Sequence, residues 1–242
     1  MRFVALLRKE LRECLPWMLL AAVFLTVFGG IALRKQTHSS SIANRYPFFS
    51  PGSEVKRFEI TSEPDIRFYS LSKHFPVSAA GSFLLIASIG LGLALGIRQF
   101  WMEQVTRTWS FLIHRSINRG VVLWSKLAAA AIVFIISLGI IWSIFYWYSR
   151  RPELFAVPST GRIFVEGWIF VVLGFMVYLG MTLAGLNRVR WYTTKLFGLL
   201  FAGLIVVAVL GQWSLLWSFI LIIIGITILL SQIIETFLSR EF

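Results

Sequence analysis

The stretch Val77–Ile97, VSAAGSFLLIASIGLGLALGI, contains no charged residue. About 20 apolar residues, each rising about 1.5 Å in a helix, cross a hydrocarbon layer about 30 Å thick. One such run is compatible with a buried core helix, but this chain repeats it. Leu15–Leu33 precedes it, and Val121–Tyr148 and Phe164–Leu186 follow. The last apolar block, Leu196–Ile234, is interrupted at Gly211-Gln212-Trp213-Ser214 and reads as two helices joined by a tight turn. The first of that pair is short, which leaves a re-entrant hairpin as the alternative.

Composition agrees. Hydrophobic residues make up 57% of the 242 residues, charged residues 14%, and mean hydropathy is +0.78. A soluble domain is about 25% charged. The sequence therefore predicts an all-α integral membrane protein with six transmembrane helices in a single domain, 1–242. The spans are 15–33, 77–97, 121–148, 164–186, 196–211 and 213–234, with an extracytoplasmic loop at 34–76. A signal peptide at the first run is disfavoured because that run lacks a small-x-small cleavage site and more spans follow. Aromatic residues mark the ends of the spans: Trp142, Tyr146, Trp147 and Tyr148 close the third, and Trp213 and Trp217 open the last. Such rings favour the membrane–water boundary.

The net charge is +12. The basic residues flank the apolar runs, so they are expected to meet lipid headgroups rather than nucleic acid. A cytoplasmic N-terminus and C-terminus put the cations of 2–12, 98–126 and 188–195 inside. Most of the remainder then fall in the long 34–76 loop, which weighs little in the positive-inside rule. That loop holds Pro47, Pro51, Pro64 and Pro76, with a β-hairpin at Ser62-Glu63-Pro64 as one option.

Two stretches have amphipathic, membrane-surface character. In the first, Phe3, Val4, Leu7, Leu11, Cys14 and Leu15 share a face opposite Arg2, Arg8, Lys9, Arg12 and Glu13. In the second, Trp101, Met102, Val105, Trp109, Leu112 and Ile113 lie opposite Glu103, Arg107, Ser110 and His114, with Phe111 on the polar side. Helices of this kind lie in the headgroup layer. An apolar Phe111 set among polar residues suits a partner anchor; the plainer reading is a connector whose Phe111 dips into lipid. Ser88, Gly92 and Gly96 recur every fourth residue, as do Gly180 and Ala184, a spacing that lets helix backbones approach.

Several chemistries lack their residues. There is no GxxxxGK[ST] phosphate loop, no HExxH and no GxSxG; the one cysteine and three histidines are scattered. No metal, cofactor or bond chemistry is expected of this chain. The middles of the spans carry no ionisable residue, which disfavours ion-driven carriers and intramembrane hydrolases.

The segment after the second span resembles type-2 ABC permeases. Glu103, Thr108, Phe111-Leu112-Ile113, Arg119 and Lys126-Leu127 follow the family's Glu, Gly-Thr, Leu-rich turn, Pro-x-Ser-Arg and Gly-Lys-Leu, and Arg8-Lys9-Glu10-Leu11-Arg12-Glu13 resembles its opening. Arg107 stands where the family often has Gly, Ser116 where it has Pro, and Ser125 where it has Gly. The resemblance implies a permease subunit of an ATP-driven exporter in the cytoplasmic (inner) membrane. Glu103, Arg107, Thr108, Phe111 and Arg119 would contact a separate ABC ATPase, and the chain would pair as a homodimer or with a related permease. A non-transport assembly or scaffold protein is the rival.

Overall fold

In a computed structural model the chain is described at residues 2–45, 75–105, 119–151, 161–186, 196–211 and 214–238. All the regular structure in these residues is helical. In hydrocarbon every backbone N–H and C=O must be satisfied within the chain, and a helix does this locally. Helix α1 is Arg2–Arg45. Helix α2 runs Phe75–Gly96, then through a π-helical turn, Ile97–Trp101, to a last α turn, Met102–Val105. Helix α3 is Arg119–Phe134, a second π turn, Ile135–Gly139, and Ile140–Ser149. Helices α4, α5 and α6 are Gly161–Leu186, Phe197–Leu210 and Leu215–Leu238.

Of the six helices among the described residues, five are long and apolar enough to cross a membrane by length and composition. The exception is α5, with 14 residues, or about 21 Å of rise, bounded by the basic stretch before Leu196 and by Gly211. The segment assigned to the 34–76 loop opens in helix, because α1 continues to Arg45. No Pro or Gly interrupts 34–45, whereas Pro47 disfavours helical backbone just beyond it. One expectation needs correction: the N-terminal amphipathic stretch is not a separate surface helix but the start of α1, continuous through Pro16. The possible hairpin at Ser62–Pro64 lies outside the described residues.

Helix α4 is the centre of the molecule. Over its most apolar window 83% of residues are buried, against 22% in α1 and 28% in α6. It packs against α2 on one side and α5 and α6 on the other, while α1 packs against α2 and α3. The α2–α4 contact is made backbone to backbone. The Ser88 hydroxyl donates to the Phe170 carbonyl at 2.8 Å. A Cβ on Gly92 would collide with the Gly174 carbonyl oxygen, and one on Gly96 would stand 2.7 Å from Met181 Cβ. Ser88, Gly92 and Gly96 thus lie against α4. Helix α5 approaches α4 in the same way at Gly180 and Gly198. Lipid tails are as apolar as the side chains, so close van der Waals packing of this kind holds helices together where the hydrophobic effect cannot.

Gly90, two residues from Gly92, has open space where its Cβ would go. Gly92→Ala should therefore destabilise the fold by about 1–3 kcal/mol through overpacking, and Gly90→Ala should leave it unchanged. Thermal midpoints of the two variants in detergent measure the difference.

Candidate functional site

The largest fully buried charged side chain among the described residues is Lys126, 1% exposed, about two turns into α3. An ammonium has three N–H donors. Three acceptors surround it: Glu103 Oε1 at 2.6 Å, Glu10 Oε1 at 3.1 Å and the Gln99 carbonyl oxygen at 3.3 Å. The Phe100 ring, 5.6 Å away, adds its negative face. Three helices thus meet on one nitrogen: α1 through Glu10, α2 through Gln99 and Glu103, and α3 through Lys126 itself.

Local structure explains how the acceptors reach it. Glu10 follows Leu7 by three residues and precedes Cys14 by four, so it shares their inward face of α1. It is 5% exposed. In the π turn of α2, the Met102 N–H reaches back to the Ile97 carbonyl, one residue further than in an α-helix. Within that turn both Gln99 and Phe100 are buried. The Gln99 side chain continues the network. Tyr178 on α4 donates to Gln99 Oε1 at 2.6 Å, and Gln99 Nε2 donates to Cys14 Sγ at 3.1 Å. Because the tyrosine hydroxyl occupies the amide oxygen, the amide NH2 is left to face the thiol.

The charges do not cancel: two carboxylates face one ammonium. Glu10 Oε2 is buried with no hydrogen-bond partner. Burial, opposed by Lys126, raises the Glu103 carboxyl above its ordinary range. Among the described residues no group of three His, Cys, Asp or Glu is placed to hold a metal ion. The arrangement is suited to tying helix ends together.

Of the residues singled out in sequence, Glu103 is turned inward on Lys126, its side chain 18% exposed. Arg107, Thr108 and Phe111 lie outside the described residues, as does the side chain of Arg119, whose backbone opens α3. Ser88, Gly92 and Gly96 lie at the α2–α4 contact and not in the ion cluster. Sequence reasoning missed Gln99 and Tyr178, and it took Lys126 for a topology signal. A signal was present: Lys126 sits inside the apolar run 121–148, and Glu10 sits in the middle of an apolar face.

Comparison of the chain with protein-family models, with curated proteins and with solved structures finds no match. The helices themselves decide the class. The chain is a multi-pass membrane protein.

Removing the cation while leaving two buried carboxylates is the severe lesion. Lys126→Met should cost about 3–5 kcal/mol, whereas Lys126→Arg should recover part of it; chemical denaturation in detergent checks both. Because the folded-state pKa of Glu103 is raised, its stabilising contribution is complete below the unfolded value and is lost as pH rises through the folded one. The thermal midpoint should therefore fall as pH climbs from about 4, the ordinary glutamate range. Glu103→Gln should flatten that slope, and an unchanged slope would remove Glu103 as its source.

Proposed function

We propose that this chain is the membrane-spanning subunit of an ATP-driven exporter of the type-2 ABC kind. It would sit in the cytoplasmic membrane with both termini inside. It catalyses no bond chemistry itself; a partner ATPase hydrolyses ATP, and a second permease copy or relative completes the pathway. The observation that carries this reading is the meeting of Glu10, Glu103 and Lys126. They come from three separate stretches of the chain, each of which contributes to the resemblance, and all three share one ammonium.

The position of the cluster supports the same reading. Helix α2 ends at Val105 and α3 begins at Arg119. The Glu103–Lys126 pair therefore closes the base of the segment that would contact the ATPase, and Glu10 joins that base to α1. A push on the segment would be passed to three helices at once. Six crossings also suit the geometry. Helix α5 starts with Gly198 against Gly180 and ends with Val209 and Leu210 beside Ile169 and Phe170. It thus runs antiparallel to α4 from Gly180 to about Phe170, as a short span would.

Two measurements test the reading. A reporter fused at Ser53 should give an extracytoplasmic signal, and a cytoplasmic signal would overturn the topology. Purification from native membranes in mild detergent should bring a stoichiometric ATPase chain with the wild type. Phe111→Ala should weaken that association by about 2 kcal/mol, roughly thirtyfold, while Val105→Ala retains it. If no ATPase accompanies the wild type, or if the chain hydrolyses ATP after every other chain is removed, the permease reading fails.

A further inference from the structure

Helices α1 and α2 run antiparallel, with the Phe28 and Phe83 rings 5.7 Å apart at one end and the Gln99–Cys14 contact of 3.1 Å at the other. Between these contacts the helices part and leave an outward-facing groove of about 250 Å³. Trp17, Ala21 and Phe24 line it from α1, and Ile86, Gly90 and Ala94 from α2. All six lie within the membrane-spanning parts of their helices. Small side chains form the floor, and nothing lies within 4 Å of where a Gly90 Cβ would stand. The groove is therefore a long apolar slot at hydrocarbon depth.

The end of the slot near Gln99 and Cys14 is cationic. One turn beyond Ala94 comes Arg98, which is exposed. At the same level, α1 exposes Arg8, Lys9 and Arg12. Glu13, the acidic residue nearest on α1, is paired with Lys9 at 3.7 Å. Trp17 stands at the boundary between the two zones, where an indole is favoured. We propose that the slot holds one acyl chain of an anionic phospholipid, with the headgroup phosphate against Arg98. Guanidinium matches a phosphate's oxygens geometrically as well as by charge. A second copy of the chain would instead bring its own Arg8, Lys9 and Arg12 into the same headgroup layer, adding like charge where an anionic lipid removes it.

The proposal is tested on the purified full-length chain by native mass spectrometry and thermal midpoint, with added dioleoyl phosphatidylglycerol or dioleoyl phosphatidylcholine. Phosphatidylglycerol should be retained in preference and should raise the midpoint. Gly90→Leu fills the slot without meeting protein atoms at its Cβ, and Arg98→Gln removes the headgroup contact. Each should weaken phosphatidylglycerol binding about tenfold while leaving the lipid-free midpoint as in wild type. Gly90→Ala provides a milder blockage should leucine disturb folding. Equal retention of the two lipids, or unchanged phosphatidylglycerol binding in both variants, would overturn the assignment. A Gly90→Leu variant that loses a dimer but keeps its lipid would assign the slot to a second copy instead.

Discussion

A charged ammonium taken out of water is costly unless acceptors replace its hydration, and Lys126 has three, one for each of its protons. The arrangement constrains more than one side chain. Glu10 must stay on the inner face of α1, Gln99 and Glu103 must lie at the end of α2, and Lys126 must enter α3 at that height. Sliding any of the three helices by a turn, about 5.4 Å, would strand either a buried cation or a buried carboxylate. Apolar contact in a membrane is nearly indifferent to register, because lipid can replace it. The ion cluster is not, and it sets the relative height of α1, α2 and α3.

The opposite side of the molecule is held differently. Helix α4 is joined to α2 and α5 by backbones in near contact, at Gly92 with Gly174 and at Gly180 with Gly198. Shape does here what charge does at the cluster. The two modes meet at Tyr178, which is buried on α4 beside the α2 contact and donates to Gln99 in the polar network. The bundle is thus organised from one polar end and one tightly packed seam, with α1, α5 and α6 presenting apolar faces outward.

Much of the helix layout could be read from the chain because bilayer-length apolar runs are a strong signal. The runs at 77–97, 121–148 and 164–186 coincide closely with α2, α3 and α4. The misreadings have physical causes. Polarity at Arg34-Lys35 marks where the apolar run ends, but helix formation needs only the absence of breakers, so α1 continues past it. The shortness of α5 was legible, because Lys195 and Gly211 bound its apolar run. The cluster was only half legible. Glu10, Glu103 and Lys126 each stand out as charges next to or inside apolar stretches, but their meeting depends on how three helices pack, and no local pattern encodes that. At 100° per residue Gln99 falls about 20° from Ser88, on the face that meets α4, so its inward side was within reach of the same periodicity.

The π turn of α2 bears on which length changes the chain can accept. A π turn is an α-helix carrying one residue more than its path requires. Losing one residue within Ile97–Trp101 would return the segment to α geometry and leave the flanking parts of α2 in their present rotational phase. The same loss around Leu91, in regular helix, would turn everything beyond it by about 100° and carry Glu103 away from Lys126. Two such reservoirs exist among the described residues, Ile97–Trp101 and Ile135–Gly139. Single-residue deletions in the spans of this protein are therefore expected to be accommodated at those turns and rejected between them.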